Sequence, residues 1–141
     1  GDYYPRRKAR AAALGLTGGV DFEGRVSLER KLALLRHTLM VLNSSPKEGW
    51  GITNLEAAAC GAPVIASRSP GLRESVLDGE SGFLFTPGDT VEFASRICQL
   101  AADKELRAKL GRGARAFAGR FTWENAAQQT IQHIDDILAG H

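Results

Sequence analysis

Residues 38–67 read in order as an apolar run, a glycine-laced loop, a short helix pattern and a second apolar run. A strand, a helix and a strand in that order build a parallel pair with a crossover helix. The first run, 38–43, is Thr-Leu-Met-Val-Leu-Asn, and the second, 63–67, opens on Pro63, the one strand position that tolerates proline in such a sheet. Between them, 52–60 is helical and Gly61 ends it.

The alternation continues on both sides. Ala9, Ala12, Ala13 and Leu16 fall at helical spacing, so 6–16 reads as a helix closed by Gly18 and Gly19, and 20–23 reads as a strand. Ser27 is an N-cap for a helix through Leu35, with Leu28, Leu32 and Leu35 on one face. Downstream, 72–77 reads as a helical stretch and 83–86 as a strand; 91–102, 104–120 and 123–138 read as successive helices. Four short strands separated by helices predict an α/β fold, a doubly wound parallel sheet, rather than a sandwich or barrel. Ligands in such sheets bind at the carboxyl ends of the strands, and the loop 44–51 leaves one of them.

The 141 residues, 43% of them apolar, suit one domain spanning 1–141, with no repeat or proline-rich linker to divide it. Eighteen Lys and Arg against sixteen Asp and Glu leave a net charge of +2, too small to argue for a nucleic-acid partner. The basic cluster Arg6, Arg7, Lys8 and Arg10 reads as a solvated helix face, with contact to an anionic membrane surface as the alternative. No apolar run approaches the roughly 18 residues of a membrane span. Cys60 and Cys98 read as buried small hydrophobes in a reducing compartment. His37, His133 and His141 are too scattered for metal-ligand spacing, so no metal site is expected. A start at Gly1-Asp2-Tyr3-Tyr4, without an initiating Met, reads as an excised fragment.

The chemistry concentrates at residues 48–56. Gly49 and Gly51 can take positive φ and leave the following amides unshielded. The first amides of the helix that follows lack partners within it and carry the positive end of its dipole, so Gly51, Ile52 and Thr53 form a candidate anion site, phosphate being the natural occupant. Glu48 in the loop and Glu56 one turn into the helix are acceptor-only groups suited to sugar hydroxyls. Two carboxylates beside a diphosphate would repel it unless each binds its own diol, so Glu48 is read as facing a donor sugar and Glu56 as facing a ribose. Thr53 and Asn54 are candidates for side-chain bonds to the phosphates, with helix capping the alternative for Thr53. Trp50 either packs on the scaffold or lines the pocket.

This stretch resembles the Glu-x7-Glu signature of retaining glycosyltransferases with the GT-B fold, the family-four group that includes mannosyl- and glycogen-synthase-like enzymes. Glu48 and Glu56 have that spacing, with Ser44-Ser45-Pro46 before and Gly61-Ala62-Pro63-Val64 after. The match continues through Pro70-Gly71-Leu72-Arg73-Glu74-Ser75-Val76, Gly82-Phe83-Leu84-Phe85 and Gly88-Asp89. Upstream, Gly19-Val20-Asp21-Phe22-Glu23-Gly24 resembles the strand whose end lies beside the nucleobase in that family. Trp123 resembles the aromatic that opens the family's last helix, with packing as its role, while Glu74 reads as stabilising the start of its own short helix.

The resemblance implies a C-terminal donor-binding domain, the Rossmann-like half of a GT-B fold, that lacks its first strand and helix. It implies a UDP-, GDP- or ADP-sugar as donor, no separate cofactor, and an acceptor that is a glycan, lipid or small molecule. The partner in cis is an N-terminal acceptor domain, and the location is cytoplasmic, with the inner face of the cytoplasmic membrane as the variant. In relatives a Gly-Arg segment and a lysine ahead of this region neutralise the diphosphate, so weak donor binding and no turnover are expected of this chain alone. A non-catalytic nucleotide-binding or interaction module, a sugar-nucleotide epimerase and a phosphorylase are the competing readings.

Overall fold

The computed structural model describes residues 3–140. In chain order the elements are α1 (Tyr3–Ala13), α2 (Leu28–His37), β1 (Val41–Asn43), α3 (Ile52–Ala59), β2 (Val64–Ser67), β3 (Gly82–Phe85), α4 (Thr90–Ala102), α5 (Lys104–Ala118) and α6 (Trp123–Ala139). The contacts divide the chain after Lys31 into two compact units.

In the larger unit the strands form one parallel sheet in the order β1-β2-β3. Val41 pairs with Val64 and Asn43 with Ala66; Val64 pairs with Gly82 and Ser67 with Phe85. Every residue of β2 and β3 is buried, as in a parallel sheet covered on both faces. Side chains alternate across the pleat and so divide the core in two. Val64, Ala66 and Leu84 pack with Ala57, Ala62, Leu72 and Val76 on one face, while Ile65, Phe83 and Phe85 pack with Leu100 and Leu110 on the other. Helix α3 and the chain around Leu72 thus cover one side, and α4 and α5 the other. Helix α5 also comes close to α3: a Cβ on Gly111 would lie 2.5 Å from the Gly61 carbonyl oxygen, so only glycine fits there.

Several local signals act as read. Ser27 Oγ accepts the Arg30 N–H at 3.2 Å and so starts α2. Asp89, Asp103 and Thr122 cap α4, α5 and α6 through their side chains. Gly61, at φ +82°, follows the end of α3.

Other expectations are corrected. Residues 20–23 form no strand. A strand exists only with a ladder partner, and the unit that holds these residues contains no strand among its described residues. Phe22 instead meets the Tyr4 ring edge-on at 5.7 Å. The sheet therefore has three strands among the described residues, not four. Strand β1 begins at Val41 rather than Thr38 because its register would set Met40 against Pro63, which has no N–H to donate. Thr38 Oγ1 instead donates to the Met40 carbonyl at 2.7 Å.

Residues 72–77 are not helix: 72–74 are turn, Ser75 is a bend, and 76–77 are irregular. Gly71 sits at φ +82°, and Ser75 Oγ donates to the Leu72 carbonyl at 2.7 Å, a local bond that competes with helical continuation. Glu74 accordingly has no helix dipole to stabilise, and it accepts from Arg73 Nε at 3.3 Å in an exposed pair. Cys98 is exposed and Cys60 half-buried, so neither is a core hydrophobe. Trp123 is 89% exposed and makes no core contact that would justify a packing role.

In the smaller unit Arg30 forms an exposed ion pair with Glu23, and its hydrogen bond holds the Glu23 carboxyl below the usual range. Because the folded pKa is depressed, what the pair contributes is present above the unfolded pKa of Glu23 and is lost as pH falls through the folded one. A carbon-detected NMR titration should place the Glu23 midpoint below that of an unpaired glutamate, and Arg30→Gln should return it upward.

The core makes a second, larger prediction. Leu110 is fully buried against the sheet, so Leu110→Ala should cost about 2–5 kcal/mol in urea unfolding. Val91 is 79% exposed, and Val91→Ala should stay within about 0.5 kcal/mol.

Candidate functional site

The loop 44–51 leaves the carboxyl end of β1 and turns directly into α3. Its path is set by polar ties rather than by a core. Asn43 Oδ1 accepts the Ser45 N–H at 3.2 Å, and Ser45 Oγ donates to the Lys47 carbonyl at 3.0 Å. From the facing turn, Ser69 Oγ donates to the Ser45 carbonyl at 3.0 Å, and the Glu48 N–H reaches the Pro70 carbonyl at 3.4 Å. Gly71 lies so close that a Cβ there would be 2.2 Å from the Glu48 carbonyl oxygen. The backbone that carries Glu48 is therefore pressed against the 69–75 turn, and its side chain is left exposed.

Gly51 is the N-cap of α3, in the left-handed region at φ 71°, ψ 43°. Two constraints require glycine there: the positive φ, and a Cβ position that would lie 2.7 Å from Ser75 Oγ and 2.9 Å from Leu72 Cδ2. Gly49 is different. It has neither a positive φ nor any atom near its Cβ position, so the conformational argument that singled out both glycines holds only for Gly51.

Among the described residues no side chain caps the first turn of α3, and Ile52 and Thr53 are exposed. Gly51 itself is buried, so the outward side of this first turn is formed by Ile52 and Thr53. Thr53 is exposed in the first turn, whereas Asn54 is fully buried and bonded to protein on both sides. Asn54 therefore has no atom to offer a ligand, contrary to the expectation that it bonds phosphate. Trp50 meets Phe121 edge-on at 5.0 Å, and Phe121 meets Phe117 at 5.1 Å, so Trp50 packs on the scaffold.

Glu56 stands one turn inside α3, half-buried, at the edge of a hollow of about 490 Å³ lined by Leu32, Arg36, Ala59, Cys60 and Arg115. Arg115 reaches across from α5 to donate to the Cys60 carbonyl at 3.2 Å, placing a cation at the negative end of α3. Glu48 does not line this hollow. The structure thus brings Gly51, Ile52 and Thr53 together at the mouth, with Glu48 just before it in the loop and Glu56 one turn beyond it.

The residues that sequence reasoning missed are the buried polar ones. Asn43 Nδ2 donates to Asn54 Oδ1 at 3.0 Å, and Asn54 Nδ2 donates to Ser75 Oγ at 2.9 Å. A signal existed: Asn54 shares the buried face of α3 with Ala57 and Ala58 at positions i, i+3 and i+4, and a polar group on such a face demands partners.

A family model described as glycosyl transferases group 1 matches residues 1–117. A D-inositol 3-phosphate glycosyltransferase of Acidothermus cellulolyticus is 39% identical over 134 residues, which are 95% of this chain and 30% of that protein. Sucrose-phosphate synthase from Thermosynechococcus elongatus superposes with a TM-score of 0.85 at 30% identity, over 100% of this chain and 36% of that one. Anabaena HepE in complex with UDP-glucose gives 0.82 at 30% identity, over 96% and 37%. The chain spans about a third of the length of the relatives it matches.

Gly71→Ala should destabilise the chain by at least about 1–2 kcal/mol, the cost of a left-handed non-glycine residue, before its collision with the Glu48 backbone is added. Gly49→Ala should stay within about 0.5 kcal/mol in the same urea titration.

Proposed function

From a chain that belongs to the glycosyl transferases group 1 family, with its α/β sheet forming a Rossmann-like half of a GT-B fold, we propose a donor-binding C-terminal domain. The whole protein transfers a sugar from a nucleotide-diphosphate donor, UDP-, GDP- or ADP-linked, to an acceptor hydroxyl with retention at the anomeric carbon. The acceptor, a glycan, lipid or small molecule, is held by an N-terminal domain across a cleft. The protein works in the cytoplasm or at the inner face of its membrane. Among the described residues, no helix is long and apolar enough to cross a membrane.

One observation carries this assignment: two glutamates with seven residues between them flank a left-handed glycine at a helix start that makes no side-chain cap hydrogen bond. The amides of Gly51, Ile52 and Thr53 take the diphosphate, aided by the positive end of α3. Gly49 allows the loop to approach the donor. As the glycosyl bond breaks, charge grows on the leaving diphosphate, and fixed amide dipoles stabilise it without reorganising. Glu48 accepts hydrogen bonds from hydroxyls of the transferred sugar and holds the anomeric carbon toward the acceptor. Glu56 accepts from the ribose. The structures of HepE with UDP and with UDP-glucose, at 31% and 30% identity, support a nucleotide-sugar donor.

Calorimetric titration of the chain with UDP, GDP and ADP should give saturable binding to at least one of them. Glu56→Ala should weaken that binding about tenfold or more, as loss of a charge-assisted hydrogen bond does. Unchanged affinity would remove the ribose role.

Glu48→Ala should leave nucleoside diphosphate affinity within about twofold and abolish the added affinity of the sugar-bearing donor. In the full-length protein the same change should reduce transfer by about a hundredfold or more, as loss of a transition-state contact does. Donor turnover without any acceptor would point instead to an epimerase.

A further inference from the structure

We propose that Asn54 and Ser75 are positioning residues that aim the mouth of α3, an inference that rests on the donor-binding assignment above for its functional consequence. Neither side chain reaches solvent: Asn54 is 0% and Ser75 1% exposed. Both belong to a one-way relay of hydrogen bonds that uses the carbonyl and the amide nitrogen of Asn54 and the hydroxyl of Ser75. The Ser45 N–H donates to Asn43 Oδ1 at 3.2 Å, Asn43 Nδ2 to Asn54 Oδ1 at 3.0 Å, Asn54 Nδ2 to Ser75 Oγ at 2.9 Å, and Ser75 Oγ to the Leu72 carbonyl at 2.7 Å.

The relay joins the four pieces of chain that surround the mouth. Ser45 begins the loop that carries Glu48, Asn43 ends β1, Asn54 sits in the first turn of α3, and Ser75 belongs to the turn that presses on the loop. Gly51 stands directly on it: the space where its Cβ would be is occupied by Ser75 Oγ at 2.7 Å and Asn54 Nδ2 at 3.2 Å. Amide and hydroxyl bonds are directional in a way that apolar contacts are not. An apolar residue at 54 could fill the space, but it would leave the rotation of α3 about its axis to shape alone. In the observed chain, the direction of the Gly51, Ile52 and Thr53 amides is set by a bond 21 residues distant in sequence. Burying polar links costs stability unless they are satisfied; the two at Ser75 are buried and the two at Asn43 part-buried, and each has its partner.

A purely structural network and a positioning one differ in what their loss does to ligands. Asn54→Asp keeps shape but replaces the donor to Ser75 with an oxygen; Ser75→Ala removes both of its links. Each variant is titrated with UDP and with uridine, and the ratio of the two affinities is read, because a fall in the folded fraction lowers both alike. We expect uridine affinity within about twofold of the unaltered chain and UDP affinity down about tenfold. The phosphorus resonances of bound UDP should shift in both variants, and the double variant should lose no more than either single one, since both cut the same relay. A ratio unchanged in both variants would overturn the proposal.

Nitrogen-edited NMR spectra keep the two failures apart. If the unaltered chain does not bind UDP, the donor assignment fails, and positioning is judged on the amide resonances of Gly51, Ile52 and Thr53. Their displacement in Ser75→Ala, with those of α6 unmoved, supports it, and their staying in place refutes it. Should Asn54→Asp fail to fold, Ser75→Ala alone decides by the same measures.

Discussion

Strand β2 is hydrogen-bonded on both edges and buried on both faces, and the rest of the larger unit follows from that. Parallel pairing leaves no room for a tight turn between neighbours, so the chain must cross back over the sheet, and each crossing lays α-helix or turns on one of its faces. Alternation along the pleat sends Val64 and Ala66 to one core and Ile65 to the other, with each core needing its own cover. Helix α3 and the 69–75 turn meet the first need, and α4 and α5 the second. The same pairing puts the ends of β1 and β2 side by side, and the loops that leave them, 44–51 and 69–75, must touch.

That contact frames the proposed donor site. Leu72 anchors the 69–75 turn in the core, and the loop 44–51 is tied to that turn by backbone and hydroxyl bonds, Ser69 to Ser45 and Glu48 to Pro70, while Asn54 of α3 bonds Ser75. Close approach then dictates glycine at 51 and 71, where any side chain would strike the facing segment. The result is a helix start whose buried side is packed against the 69–75 turn and whose Ile52 and Thr53 are exposed. In the donor-binding reading proposed above, the first amides of α3 are a preorganised electrostatic site for phosphate, and Glu48 and Glu56 supply acceptors for hydroxyls.

Much of this was legible from residues alone because the signals are local. Helix periodicity, Ser27 as a cap, Gly61 as a stop and Pro63 at the head of a strand all act within one turn of chain or across one peptide. Illegible were features whose energy comes from a distant partner. Residues 20–23 alternate like a strand but lack a ladder to join; 72–77 carry helix-compatible residues, yet a bond from Ser75 back to Leu72 and the left-handed Gly71 keep them out of a helix. Cys98 falls at a plausible core spacing in α4 but on the outward side. Asn54, a polar residue in the first turn of a helix, suggests a ligand contact by position alone, and only burial shows that both of its polar atoms face protein partners.

What the residues themselves determined is the architecture and the order of parts at the site: a parallel α/β sheet, a loop with Glu48, a glycine entry and a helix with Glu56. These depend on spacing and local conformational preference, which a linear sequence carries in full. What tertiary structure decided is orientation: that Gly51 and not Gly49 bears the strained conformation, that Glu56 edges a hollow which Glu48 does not line, and that α3 is aimed by Asn43, Asn54 and Ser75. Orientation depends on which surfaces meet when segments distant in sequence fold together, and no local preference encodes that.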